Sequence, residues 1–270
     1  MVVFAGQGDA RRTMDLLWRP GERPSGPGPK PGLTVDAIVV AAIAVADAEG
    51  MGALSMRAVG ERLGRTAMAL YTYVPGKNEL VDLMYDRALA ELPAAYDPGA
   101  GWRAAIMSWA EDSWAFYLRH PWMLQVSQAR PVLGPNEYRA LETLLNVLSK
   151  TGLGAPDVRR AVSTLSSVVR GSAQTVAESR QAVRATGKSE EEWWYSRTGV
   201  LQNLVPDFAD RFPTTVWLDT EGPPPEAADE TVPYLEQAAR EAFDGGLALV
   251  LDGIEAAIAR TGANPTPGGL

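Results

Sequence analysis

The sequence contains no cysteine and a single histidine, His120. Without thiols, disulfides and thiolate metal sites are excluded, and a reducing compartment is the expected setting. One imidazole leaves no multi-histidine metal site and weakens any Ser-His-Asp catalytic reading. No apolar run approaches the roughly 18 residues that a membrane span requires. The opening MVVFAGQGDARR has too short an apolar stretch, on the wrong side of its charges, for a signal peptide. Strand signals are almost missing, with TTVWL (214–218) the one short candidate. Lysine is scarce as well: Lys30, Lys77, Lys150 and Lys188 are the four among 25 basic residues. A cytoplasmic protein with no membrane partner, no metal and no cofactor is expected.

What is present is an ordinary globular chain of 270 residues, 46% apolar and 21% charged, long enough for one or two real cores. A net charge of −8 argues against indiscriminate nucleic-acid binding but leaves room for a local basic surface. Acid pairs such as Glu111-Asp112 and Glu190 to Glu192 fall on solvated faces or near a loop, with no histidine, cysteine or glycine-rich phosphate cradle beside them. No enzyme is expected.

Residues 1–32 close with RPGERPSGPGPKPGL, which can neither form a helix nor pack a core. They read as a flexible basic arm, either a solvated tail or an arm lying along DNA; Met14 is an alternative start. Helical patterns take over at Thr34. Thr34 caps a helix that stops at Gly50, Ser55 caps one that stops at Gly64, and Thr66 caps one that stops at Pro75-Gly76. A further helix runs from Asn78 to about Leu92. The second and third of these, hinged on a glycine, make a helix-turn-helix over residues 33–80. Beyond it, helices are expected near 101–119, 122–129, 135–150, 156–185, 189–204 and 231–260, with 212–230 as a loop and 263–270 as a disordered tail. The fold class is all-α: a small N-terminal domain and a larger helical bundle over 81–262, joined by a bridging helix at 81–92.

Leu54, Val59, Leu63 and Leu70 are apolar at positions that face inward across the hinge. That leaves Ala67, Met68, Ala69 and Thr72 free for a major groove, which admits one helix. Arg57, Tyr71, Tyr73 and Lys77 surround the ridge and suit phosphate oxygens. Over 57–77 the charges are Arg57, Arg62, Arg65 and Lys77 against Glu61, a local excess of cation on an acidic chain. Helix-turn-helix geometry also occurs in proteins that never touch DNA.

The ungapped stretch LSMRAVGERLGRTAMALYTYVPGKNEL (54–80) resembles the DNA-binding domain of the tetracycline-repressor family of bacterial transcription regulators. By position, the resemblance implies phosphate contacts for Arg57, Thr66, Tyr71, Tyr73 and Lys77, and base contacts for Ala67, Met68, Ala69 and Thr72. Arg65 stands where the family usually has an apolar residue, so it is either buried or reaches DNA. YLRHPW, VVRGSA and FDGGLALVLDGIEAAIA resemble the effector domain of the tetracycline-repressor subgroup. This implies a homodimer through the helices near 156–185 and 235–260, a near-palindromic double-stranded operator, and a small-molecule effector. The apolar stripe Phe243, Leu247, Val250, Leu251, Ile254 and Ile258 permits such an interface, although a stripe of this kind also serves as intramolecular core.

Seven tryptophans crowd the larger domain: Trp102, Trp109, Trp114, Trp122, Trp193, Trp194 and Trp217. A Trp-rich bundle broken by prolines favours an apolar pocket. The positions that chelate a metal–drug complex in the tetracycline repressors fall here near Pro93, Trp109, Ser113, Ser127, Leu144 and Thr175, none of them His or Glu. A bulky apolar effector without metal, such as an antibiotic or secondary metabolite, is therefore implied. Its expected neighbours are Trp109, Ser113, Phe116, Tyr117, His120, Met123, Gln128, Leu144, Ser167, Arg170 and Gln174. Arg170, mid-helix, must pair with a carboxylate, meet a ligand anion or face solvent. The alternative function is a small-molecule-sequestering protein of the same fold that does not bind DNA specifically.

Overall fold

A computed structural model describes residues 3–19, 32–222 and 232–263. Among these are twelve α-helices and one two-stranded parallel sheet, β1 (Val3–Phe4) against β2 (Val126–Ser127), with Val3 opposite Val126. The helices are α1 (Ala10–Trp18), α2 (Val35–Glu49), α3 (Met56–Arg62), α4 (Ala67–Tyr71), α5 (Lys77–Leu89), α6 (Gly101–Arg119), α7 (Pro135–Leu148), α8 (Ala155–Thr186), α9 (Glu190–Leu204), α10 (Phe208–Arg211), α11 (Pro213–Glu221) and α12 (Tyr234–Ala263). They fall into two compact units, Met1–Arg170 with Val250–Leu270, and Gly171–Leu249. Among the described residues no helix is long and apolar enough to cross a membrane.

The helix-turn-helix forms for the reasons its sequence suggests. Thr34, Ser55 and Thr66 each accept the backbone N–H three residues on, satisfying a donor that the first helical turn leaves free. Gly64 turns the chain at φ 63°, a left-handed backbone that other residues resist. Gly60 lets α3 and α4 cross: a Cβ there would stand 2.7 Å from the Arg65 carbonyl oxygen. Leu54, Val59 and Leu70 are fully buried beneath the crossing, with Leu63 half-buried against them.

That core does not end at residue 80. It continues through Leu80, Met84 and Ala88 of α5 to Phe116, Trp122 and Met123, and it takes in Ala5 and Leu17 from the N-terminal segment. A unit as small as residues 33–80 buries too little apolar surface to stand firmly alone, so it shares.

Three sequence expectations are corrected here. The flexible arm does not hold over residues 3–18, where β1 and α1 pack on the protein; residues 20–31 lie outside the described residues. The reason lies on α5, whose carboxylates Glu79, Asp82 and Asp86 are buried one above another. Gly6 N–H donates to Asp82 Oδ1 at 2.9 Å and Asp9 N–H to Glu79 Oε1 at 3.1 Å. Asp86 accepts from Asn136 N–H, Asn136 Nδ2 and Glu137 N–H, the free donors of the first turn of α7. Burial and the nearby Glu79 hold the Asp82 carboxyl above the usual range, against the lowering effect of Gly6. Truncation to Met14 strips two buried carboxylates of their donors. It is expected to cost about 2–4 kcal/mol, read as an earlier urea midpoint; an unchanged midpoint would mean that the segment is not structural.

Second, the expected helix at 122–129 is a short 3-10 turn (Pro121–Gln125) running into β2. Third, TTVWL is helical, within α11, where Pro213 occupies the first turn and the Thr220 hydroxyl donates to the Val216 carbonyl. Part of the expected 212–230 loop is thereby helix; residues 223–231, and 264–270 of the expected tail, lie outside the described residues.

Candidate DNA-reading face and effector cavity

On α4, Met68 is 74% exposed and Tyr71, one turn on, 43%. Thr72 extends this outward ridge, with Arg65 and Thr66 exposed at its start and Lys77 exposed beyond the next turn. Arg65, which the sequence leaves between burial and surface, is at the surface. Arg57 is exposed and engaged at 2.8 Å by Glu61 on the same helix. Ala67, expected at the bases, is instead half-buried against the core, because the Gly60 crossing draws its backbone inward. Ala69 and Tyr73 are half-buried too, and Tyr73 packs against the same core.

One unit also contains a cavity of about 370 Å³ bounded by α5, α6, α7, α8 and the segment after β2. Leu89, Leu92, Leu141, Leu144, Val162 and Val169 make its walls apolar. Trp109, Ser113, Tyr117, Gln128 and Leu144, expected from the sequence, all line it. Tyr85, Glu137, Tyr138 and Ser166 line it without having been expected. Burial pushes the Tyr85 and Tyr117 hydroxyls up, with Gln128 in hydrogen-bonding contact with both, so they stay protonated and able to donate. Burial likewise raises the Glu137 carboxyl, aided by Asp86 and opposed by the Leu133 N–H, which donates to Glu137 Oε2 at 2.7 Å.

Six expected neighbours do not line this cavity. Phe116 and Met123 belong to the shared core. Ser167 donates to the Ser163 carbonyl, and Gln174, exposed in the second unit, donates to Glu178. Arg170 neither pairs with a carboxylate nor stands free in solvent: its guanidinium donates to the carbonyls of Met123, Leu124 and Val126, where the 3-10 turn gives way to β2, and lies over the Tyr117 ring at 5.9 Å.

His120 is the sixth. It is 3% exposed, with Nδ1 2.8 Å from Asp47 of α2 and Nε2 3.1 Å from Glu91, and it packs on Phe116. Trp122 Nε1 donates to the same Asp47, and Arg119 to the same Glu91. This network ties the base of the helix-turn-helix to the end of α6. Burial alone would lower the His120 pKa, but hydrogen bonds to Asp47 and Glu91 outweigh it and raise it above 6.5. The stabilisation is therefore complete below about pH 6.5 and is lost as pH rises through the folded-state value. As His120 is the chain's sole histidine, urea midpoints should fall between about pH 6 and 8 in the wild type and stay level in His120→Gln. A level wild-type profile would show that folding leaves the proton affinity of the imidazole unchanged, and a rising one that the fold holds it neutral.

Of the other tryptophans, Trp114 and Trp122 are core, while Trp193, Trp194 and Trp217 of the second unit are exposed. Among the described residues no group of three or more His, Asp or Glu could hold a metal ion.

Comparisons with known proteins agree with this arrangement. Residues 38–84 match the family described as bacterial regulatory proteins, tetR family, and residues 94–258 match the tetracyclin repressor-like C-terminal domain. The HTH-type transcriptional repressor DrrR1 of Streptomyces coeruleorubidus is 40% identical over 267 residues, 97% of this chain and 92% of that protein. An HTH-type transcriptional regulator of Saccharopolyspora erythraea is 35% identical over 143 residues, 53% of this chain and 61% of that one. Among solved structures, apo ActR of Streptomyces coelicolor superposes with a TM-score of 0.63 at 26% identity, covering 86% of this chain and all of that one. ActR in complex with actinorhodin gives 0.63 at 26%, covering 83% and 96%. With a reading-head motif, an effector-domain match across most of the remaining chain and a repressor relative along nearly its whole length, the chain belongs to the TetR family of bacterial transcriptional regulators.

Proposed function

We propose that this chain is a repressor that binds a near-palindromic operator as a homodimer and releases it when a bulky, largely apolar small molecule fills the cavity of α5–α8. The observation that carries the reading is the sharing of α5. Its first residue, Lys77, is exposed and follows the ridge of Met68, Tyr71 and Thr72 across one turn of chain, while Tyr85 and Leu89, on the same helix, line the cavity. A ligand that shifts α5 therefore moves the reading head. Base contacts fall to Met68 and Thr72, with Ala67 and Ala69 behind them, and phosphate contacts to Arg57, Arg65, Thr66, Tyr71, Tyr73 and Lys77.

Two-fold symmetry sets two such ridges about 34 Å apart, one turn of duplex. Apolar side chains left in solvent on the second unit, Val183 of α8 and Leu249 of α12 among them, support a partner copy there. In the single chain Phe243, Leu247, Leu251 and Ile254 of the α12 stripe are already buried, so the interface rests on the neighbouring positions. The sequestering alternative has no observation in its favour.

The test is a gel-shift titration on DNA upstream of the gene, with candidate effectors drawn from a thermal-shift screen of host metabolites and antibiotics. A stabilising compound should release a footprint of two related half-sites. A hit that leaves operator affinity unchanged at saturation would refute the switch.

A further inference from the structure

Resting on the reading of this cavity as the effector seat, the geometry points to an effector that carries a basic amine on an aromatic body, with Glu137 as the residue that selects it. Glu137 is the one ionisable carboxylate among the described lining residues, and no Lys, Arg or His lines the cavity with it. Its charge has no ion-pair partner among the described residues. The cations nearby are committed elsewhere: Arg170 to three backbone carbonyls, and Arg130, which borders a small recess that Glu137 also lines, to the ring of Phe4 at 5.8 Å.

Asp86 adds a second negative charge just behind Glu137, bound to the first backbone N–H groups of α7. Backbone hydrogen bonds to Glu137 from Leu133, Val132 and Gly134 fix the carboxylate in place but supply no full charge. Around the same space stand the rings of Tyr85, Trp109, Tyr117 and Tyr138, whose faces attract a cation and stack on a flat ring system. A carboxylate without a counter-ion in an aromatic-walled cavity favours a ligand that brings the missing positive charge. A neutral ligand of the same shape leaves that charge desolvated and unpaired.

The experiment compares two anthraquinone probes that differ in one group, 1-(2-aminoethylamino)anthraquinone and its 2-hydroxyethyl counterpart, titrated by quenching of tryptophan fluorescence into the full-length protein. The amine probe should bind about tenfold or more tightly than the hydroxyl probe to the wild type, as a charge-assisted bond in a dry site implies. The ratio should collapse toward one in Glu137→Gln and survive in large part in Glu137→Asp, which keeps the charge if the Gln variant fails to fold. Hydroxyl-probe binding to Glu137→Gln at least as tight as to the wild type shows that the cavity itself is intact, since the substitution removes the charge that a neutral ligand would desolvate. Equal binding of the two probes to the wild type, or a preference that persists in Glu137→Gln, overturns the assignment while leaving the effector seat in place. Failure of both probes to bind at all overturns both readings; binding of the hydroxyl probe alone overturns the amine assignment.

Discussion

A chain carrying R65E and K77E together binds its operator at least about a hundredfold more weakly than the wild type, and its affinity falls less steeply with salt. Both side chains are exposed and flank the Met68–Tyr71–Thr72 ridge, so reversing them changes the field at the DNA without disturbing packing. Each cation that neutralises a phosphate releases a counter-ion and contributes about 0.9 to the slope of log affinity against log salt. Two residues in each of two subunits remove about 3.6 from that slope, and the introduced carboxylates add repulsion. Thermal midpoints should stay within about a degree or two, because surface substitutions away from buried networks change stability little. Fluorescence anisotropy across a salt series measures affinity and slope in one experiment. If both parameters match the wild type, the ridge is not the DNA-facing surface, whatever family the chain belongs to.

The reading head was legible in the sequence because its determinants are local. A Thr or Ser before each helix, a glycine in the hinge and leucines at helical spacing specify caps, turn and buried face within a window of about twenty residues. The N-terminal segment was not legible for the opposite reason. Val3, Phe4, Gly6 and Asp9 have no strong pattern of their own, and their partners, Val126, Ser127, Asp82 and Glu79, lie 70 residues or more away. A run of prolines following them suggested a tail, yet the three buried carboxylates of α5 demand donors that only distant backbone supplies. Glu79, Asp82 and Asp86 sit at i, i+3 and i+7, one face of a helix, and that spacing was the available signal.

Cavity and core are equally hard to separate by sequence, since both are apolar and aromatic at helical spacing. Trp109 and Tyr117 line the cavity, whereas Phe116, adjacent to Tyr117, points to the core. Neighbouring helix positions differ by about 100°, and no residue type records which side holds the void. Glu137 is silent in the sequence for another reason: as the third residue of α7 its carboxylate has the pattern of an ordinary helix-start acid, and it accepts the Leu133 N–H.

Filling the cavity should separate ligand sensing from DNA binding. Ser166 of α8 is half-buried and lines the void opposite Tyr85 and Leu89 of α5, so Ser166→Trp places an indole where the effector would lie. The wild-type protein needs a differential ligand affinity of about 5.5 kcal/mol to pass from almost wholly bound to almost wholly released. A ligand excluded by the indole supplies none of it, so the concentration for half-release should rise by about a hundredfold or beyond solubility. Operator affinity without ligand should stay near wild type, because the reading head and its capping residues lie outside the cavity. An indole that itself pushes α5 would instead release DNA in the absence of any ligand, which the same picture also permits, since occupancy of the space drives the switch. A Ser166→Trp protein that binds operator and responds to the screened effector with wild-type sensitivity would show that the effector acts elsewhere, and the coupling through α5 would fall with it.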